Sequence, residues 1–178
     1  NKERVVEITG ILGNMFAVNM SAQSMDDEVL KKIKRSNIKL DHYKEVNKNL
    51  QRAGRATKAE LIMPLPGETK ESFMRGIEAL ISSGVSSMCV YTLMLLNGTE
   101  FKNTQYRKEF DIKGRFRIVP LNFGEYEGEK IFDFEEVGIQ TKDMPFEDYL
   151  YIRGFALIIE SLVNGRVFEE FFLYLKNF

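Results

Sequence analysis

The stretch TKAELIMPLPGETKESFMRGIEALISSG, residues 57–84, contains a strand, a turn and a helix in the order typical of α/β proteins. Residues 57–63 predict the strand, and two prolines and a glycine within residues 64–67 end it. Thr69 suits the N-cap of a helix, because the apolar residues within 73–81 recur at helical spacing. A strand that feeds directly into an amphipathic helix predicts one unit of a layered α/β fold.

The same unit recurs on both sides of this stretch. Residues 16–23 predict an earlier strand, helices follow it as far as Gly54, and residues 87–95 predict a later strand. Strands that alternate with helices of this length pair in parallel, so the chain up to residue 103 predicts a parallel α/β layer.

The pattern changes beyond residue 104. Residues 116–123 and 131–139 predict two strands that can pair as a hairpin, and Pro145 suits the first turn of a long apolar helix. We therefore divide the chain into residues 1–103 and a C-terminal α+β extension, residues 104–178.

Composition excludes several classes of function. The chain of 178 residues has 25 Lys and Arg against 26 Asp and Glu, so no positive surplus favours binding to nucleic acid. Cys89 is the only cysteine, so this chain offers neither an intrachain disulfide nor several thiolates for a metal, and we predict no metal ligands in it. The apolar run 155–163 is short and Glu160 interrupts it, so we expect a cytoplasmic protein with no signal peptide and no membrane span.

Polar side chains interrupt two of the predicted strands. Asn19, Ser21 and Gln23 alternate with apolar residues on the first strand, and Lys58 and Glu60 lie on one face of the second. A buried charge without a partner costs several kcal/mol, so these positions predict either a ligand or mutual pairing. The alternatives to a ligand site are a hydrogen-bonded polar layer and a Lys58–Glu60 ion pair.

Several motifs together resemble the radical S-adenosylmethionine (SAM) superfamily. The segments MSAQSMDDEVL (20–30), KRSN (34–37), ELIMPLPGET (60–69) and YTLMLLNGT (91–99) are similar, in order, to the regions of the fourth, fifth and sixth strands of its barrel. The segments NFGEYEG (122–128) and RGF (153–155) resemble the C-terminal extension of the members that carry an N-terminal cobalamin-binding domain. The resemblance covers nearly the whole chain.

The resemblance implies a partial parallel (β/α) barrel. Residues 1–103 would form its C-terminal half, strands four to six, and residues 104–178 the extension. The CxxxCxxC motif of the family is absent, and Pro64 stands where the family often has glycine. The resemblance therefore implies that this chain is a piece of a larger enzyme. It would have neither cluster ligands nor activity on its own, and its partner would be the N-terminal half of the same polypeptide. The exposed edges of a half-barrel also predict pairing between copies.

The resemblance also assigns cofactors and contacts. The parent enzyme would use SAM, a 4Fe-4S cluster and cobalamin, the last two bound through ligands outside this chain. The cofactor-binding positions are Ser21 and Gln23 for the ribose or methionine part of SAM, Arg35 for its carboxylate, Glu60 for the ribose hydroxyls and the Ile62 backbone for adenine. Tyr91 and Met94 would face the substrate. The residue types suit these ligands, because a guanidinium matches a carboxylate and a carboxylate accepts hydrogen bonds from vicinal hydroxyls; for Arg35 the alternative is a solvated position at a helix end.

Two other functions compete with this interpretation. The first is a binding module that reuses half a barrel without chemistry. The second is a nucleotide-binding enzyme with residues 65–69 as its phosphate loop. The sequence disfavours this second alternative, because it has neither GxGxxG nor GxxxxGK[ST], and prolines remove the amide donors that bind phosphate.

Overall fold

A parallel sheet forms the centre of the molecule. The computed structural model describes residues 4, 8, 11, 18–36, 40–52, 54–165 and 167–175. Its three-stranded sheet has the order β1-β2-β3 and parallel pairing throughout. The strands are β1 (Val18–Gln23), β2 (Thr57–Met63) and β3 (Ser87–Thr92). The predicted α/β class is confirmed, whereas residues 16 and 17, predicted as the start of β1, lie outside the described residues.

Helices connect the strands. The connections are α1 (Asp27–Lys32) and α2 (Leu40–Arg52) between β1 and β2, and α3 (Lys70–Ser82) between β2 and β3. Helix α3 begins as the sequence predicts, because Thr69 and Ser72 form a reciprocal capping box that satisfies two otherwise unpaired amides. Helix α1 ends at Lys32, after which Lys34 adopts a positive φ of 55°.

The C-terminal part is a hairpin followed by helices. In chain order the elements are a 3-10 turn (Glu100–Lys102), α4 (Thr104–Glu109), β4 (Lys113–Tyr126), β5 (Glu129–Gln140), α5 (Phe146–Ile158), a π-helical turn (Ile159–Asn164) and α6 (Glu169–Leu175). Strands β4 and β5 pair in antiparallel fashion, as predicted. Both strands are longer than the predicted ones, which were based on apolar residues. Main-chain pairing also includes charged positions such as Glu125–Lys130.

The main core lies on one face of the parallel sheet. Helices α2, α3 and α5 contribute buried side chains to it, and the cluster includes Ala59, Leu61, Met63, Phe73, Ile77, Leu80, Met88 and Ile152. Side chains on β2 alternate strictly between buried and half-buried, which places its apolar residues on the helix side. Burying one such Leu or Phe stabilises the fold by about 1.5–3 kcal/mol. Among the helices of the described residues, none has the length and apolar character needed to cross a bilayer.

Side chains close the outer edge of β3. The Asn164 Nδ2 donates to the Met88 carbonyl at 2.6 Å, and the Met88 amide donates to Asn164 Oδ1 at 2.9 Å. The Arg153 Nη1 donates to the Val90 carbonyl at 3.3 Å. Three main-chain groups on the outer edge of β3 therefore have partners on the C-terminal helices, which hinders pairing with another strand there.

Strand β5 closes the same edge further along. The chain leaves β3 after Thr92, earlier than predicted, because residues 93–95 turn to bond with β5. The Gly138 amide donates to the Leu93 carbonyl at 2.8 Å, and the Leu95 amide donates to the Glu136 carbonyl at 2.9 Å. Among the described residues, β1 is the other edge strand and pairs with β2 alone.

Removing the amide that closes β3 should destabilise the fold. We expect Asn164→Ala to lower the free energy of unfolding by about 1–3 kcal/mol, because it removes the partners of both Met88 main-chain groups. Urea denaturation measures the loss, and hydrogen exchange at the Met88 amide should accelerate. The control is Asn122→Ala in the exposed part of the hairpin. Equal stability of the two variants would show that Asn164 does not secure the edge.

Candidate functional site

The sheet face opposite the main core carries the polar side chains of all three strands. The register aligns Ser21 with Glu60 and Glu60 with Cys89 across the strands. We call this surface the polar face; its residues are Asn19, Ser21, Lys58, Glu60, Ile62, Ser87, Cys89 and Tyr91. All of them are half-buried or exposed, so a ligand can reach this surface.

Glu60 lies at the centre of the polar face. The Ser21 Oγ donates to its Oε2 at 2.8 Å, while the Lys58 Nζ lies 3.7 Å from its Oε1. The Lys58–Glu60 pair that the sequence offered as an alternative is thus present, but it is longer than a hydrogen bond and part-exposed, so it is worth about 0–1 kcal/mol. A carboxylate has about four acceptor positions, so Glu60 keeps free capacity for a ligand's hydroxyl groups.

Lys58 also contacts the neighbouring strand. Its Nζ donates to the Tyr91 Oη at 3.5 Å and lies 6.0 Å from the centre of the Tyr91 ring. The pKa of Lys58 is raised above its ordinary value, chiefly by a hydrogen bond with the Cys89 side chain, and Tyr91 adds to the effect. The ammonium group is therefore charged at neutral pH. From the sequence, Lys58 was predicted only as a partner for Glu60. Its contact with Tyr91 on β3 could not be predicted, because that contact depends on which strands are neighbours.

The end of β1 departs from simple alternation. An irregularity after Ser21 aligns Gln23 with Leu61 instead of a residue of the polar face. Gln23 also has a positive φ of 60°, a conformation that is uncommon outside glycine and recurs at functional sites. Gln23 thus lies beside the polar face at the carboxyl end of β1, and its assignment to the cofactor stays a prediction.

The remaining predicted positions lie at different distances from Glu60. Ile62 aligns with Tyr91 at the upper end of the polar face and is half-buried. Arg35 is exposed in the turn after α1, and no described contact joins it to Ser21 or Glu60. Met94 forms a bridge with Val137 of β5 and remains 41% exposed. The structure therefore brings Ser21, Glu60 and Tyr91 close together, with Arg35 and Met94 at the periphery.

A second apolar cluster covers the carboxyl ends of β2 and β3. Its buried members are Val29, Leu65, Leu93, Leu95, Phe110 and Ile112, and Ile62 packs against it. Since Leu65 and Leu93 lie within two residues of the ends of their strands, this cluster holds the loops after β2 and β3 in place beside the polar face. The loops that follow parallel strands are where α/β proteins bind ligands.

Glu68 is a buried carboxyl group that the sequence predicted only as part of a turn. It is 1% exposed, and the Ser72 Oγ donates to its Oε1 at 3.0 Å. Burial raises the pKa of Glu68 from 4.5 to about 7, although hydrogen bonds with Ser24 and Ser72 act in the opposite direction. Ser24 directly follows β1, so Glu68 connects the ends of β1 and β2. Nothing in the local pattern reveals its burial, which results from the packing of two loops.

Neutralising Glu68 should stabilise the protein above neutral pH. Its folded-state pKa exceeds its unfolded value, so stability is fully present below about pH 4.5 and is lost as the pH rises towards about 7. The shift corresponds to about 3 kcal/mol, so Glu68→Gln should be more stable than the parent by up to that amount at about pH 8. Urea denaturation at about pH 5 and pH 8 measures the difference. Glu78→Gln on exposed α3 surface is the control; an identical pH profile for both variants would contradict a buried, ionising Glu68.

The described residues do not gather metal ligands. Within the described part of the chain, no three His, Cys, Asp or Glu side chains lie together in a group that could hold a metal ion. Cys89 is half-buried and forms no disulfide. The donor set of the polar face is instead a carboxylate, hydroxyls and one ammonium group, which suits an organic ligand with hydroxyl and anionic groups.

Comparison with curated proteins finds two relatives. The chain is 28% identical over 167 residues to the cobalamin-dependent radical SAM methyltransferase TokK of Streptomyces tokunonensis, covering 92% of this chain and 24% of TokK. It is 26% identical over 184 residues to the 2-(S-pantetheinyl)-carbapenam-3-carboxylate methyltransferase of Streptantibioticus cattleyicolor, covering 99% of this chain and 26% of that protein. The chain spans about a quarter of the length of these relatives. No protein-family model matches the chain.

Comparison with solved structures finds the radical SAM methyltransferase TsrM of Kitasatospora setae. The structure with tryptophan and a SAM analogue aligns with 52% of this chain and 18% of its own, at 16% identity and a TM-score of 0.44. The structure with cobalamin and a [4Fe-4S] cluster aligns with 51% of this chain and 18% of its own, at 17% identity and the same TM-score. The sequence relatives confirm the resemblance to cobalamin-containing radical SAM proteins.

Proposed function

We propose that this chain, whose sequence relatives are two methyltransferases including the cobalamin-dependent radical SAM methyltransferase TokK, supplies SAM-binding strands to a radical SAM enzyme. The observation that carries the proposal is the Ser21–Glu60 hydrogen bond on the accessible polar face, within the segments that resemble the family. A half-exposed carboxylate held on a strand by a neighbouring hydroxyl is prepared to bind a ligand with vicinal hydroxyls.

Ser21 and Glu60 divide the work of holding the ribose. Ser21 fixes one oxygen of Glu60, and the other acceptor positions of the carboxylate receive the ribose hydroxyls. The Ile62 backbone lies two residues further along β2, where it would meet the adenine ring, while the half-buried Ile62 side chain keeps water away from one side of it.

The peripheral positions complete the proposed site. Gln23 would contact the ribose or the methionine part of SAM, and the exposed guanidinium of Arg35 would bind the methionine carboxylate. Tyr91 and Met94, which are 45% and 41% exposed, would face the substrate. These assignments place the cofactor over β1 and β2 and the substrate towards β3.

The described residues fit SAM but not an iron-sulfur cluster. The polar face fits SAM, because its donors and acceptors match hydroxyl groups. The described residues do not fit a 4Fe-4S cluster, since the chain has one cysteine, so we place the cluster ligands and the cobalamin-binding residues outside this chain. When bound, these cofactors supply the methyl-transfer and radical chemistry, whereas this chain binds and orients SAM and substrate. We expect the isolated chain to be inactive.

The edges of the sheet support a partial barrel. Since β3 is closed by Asn164, Arg153 and β5 while β1 pairs with β2 alone, further parallel strands can join only at β1 among the described strands. We propose that residues 1–103 are half of a (β/α) barrel, that residues 104–178 are its extension, and that the N-terminal half of the same polypeptide pairs with β1. Without that half, two copies would associate through the same edge.

Nucleoside binding tests the proposal directly. We expect this chain to bind SAM and 5′-methylthioadenosine weakly, and Glu60→Gln to weaken both about tenfold, since it removes a charge-assisted hydrogen bond to the ribose. Isothermal titration measures both ligands. The matched control is Glu125→Gln on the exposed hairpin, which should bind like the parent. If the parent binds neither ligand, or if Glu60→Gln binds as the parent does, the proposal fails and the non-catalytic half-barrel is favoured.

A further inference from the structure

Lys58 provides the positive charge of the polar face. Glu60 is the only other charged residue among the described residues that form this face. The Lys58 side chain is 31% exposed, so its ammonium group can meet a ligand while its methylene groups stay packed on the strand. The proposed roles for Ser21 and Glu60 leave this cation without a ligand.

The donors of Lys58 are not used up by its neighbours. An ammonium group has three hydrogens. Two of them serve the Cys89 side chain and the Tyr91 Oη, and at 3.7 Å the Glu60 oxygen lies beyond hydrogen-bond length, so one hydrogen remains for a ligand. The bond to the Tyr91 Oη, at 3.5 Å, uses the phenol as an acceptor, so the phenol keeps its own hydrogen for a further acceptor. Two donors, one charged and one neutral, therefore lie next to each other on the β3 side of the polar face.

The chemistry of this pair selects the class of anion. The two oxygens of a carboxylate match one ammonium and one hydroxyl donor, and its single charge balances Lys58. A phosphate dianion would place a second negative charge close to Glu60, which the nearby carboxylate disfavours. A neutral amide would gain no charge-assisted bond.

We propose that Lys58 and Tyr91 form a subsite for a monoanionic carboxylate, and that the substrate of the enzyme carries this group. The identification as a substrate group rests on the proposed function, because it assumes that the nucleoside occupies the Ser21–Glu60 side. The carboxylate would accept one hydrogen bond from the Lys58 ammonium and one from the Tyr91 hydroxyl, next to β3.

Lysine side-chain NMR with acetate as the probe tests the subsite. At constant ionic strength, we expect the Lys58 Cε resonance to shift saturably with acetate, and inorganic phosphate and acetamide to cause weaker, non-saturating shifts. Tyr91→Phe should weaken the acetate response several-fold, because it removes the second donor. Lys130 in the exposed hairpin turn is the internal control and should respond only linearly. A linear Lys58 response like that of Lys130, or an unchanged response in Tyr91→Phe, would overturn the subsite.

Glu60→Gln separates this inference from the proposed function. Removing the negative charge beside Lys58 should tighten acetate binding, while the same change should weaken nucleoside binding. If the parent chain binds no nucleoside but keeps its saturable acetate response, only the SAM assignment is contradicted. Lys58→Met should leave the affinity for 5′-methylthioadenosine and for SAM within about twofold of the parent. If Lys58→Met weakened SAM about tenfold but not 5′-methylthioadenosine, the carboxylate would belong to the cofactor and the substrate assignment would be wrong.

Discussion

Side chains alternate between the two faces of the parallel strands, and both the core and the candidate site result from this alternation. Because successive residues of β2 point to opposite faces, Ala59, Leu61 and Met63 enter the main core while Lys58 and Glu60 remain on the polar face. The helices pack only against the apolar residues and leave Lys58 and Glu60 uncovered. A protein that places a carboxylate and an ammonium group on the uncovered side of its sheet, beside loops packed on an apolar cluster, presents a binding surface at modest cost in stability.

The two outer edges of the described sheet have different neighbours. The Asn164 side chain both donates to and accepts from the Met88 main chain, as a neighbouring strand would. It therefore occupies the outer edge of β3 at this position. Among the described strands, β1 pairs with β2 alone. In the proposed barrel the helices would lie outside, so the polar face, with the proposed SAM and carboxylate sites, would line the interior.

Local patterns predicted the repeating strand–helix units well, and they failed where distant segments meet. The N-cap at Thr69 and the strand at residues 57–63 follow from nearby residues, and both were found. Lys58 reaching Tyr91 depends on strand order, and the burial of Glu68 depends on two loops packing together, so no local pattern could predict either. The irregularity before Gln23 also escaped prediction, since alternation alone places Gln23 with Ser21.

We propose that the polar face binds a nucleoside over β1 and β2, and chemical-shift mapping during a titration with 5′-methylthioadenosine tests this binding. Saturable shifts should be concentrated at Ser21, Glu60 and Ile62, while core residues such as Phe73 should be unchanged. Shifts confined to other surfaces, or no saturable shift at any described residue, would contradict it.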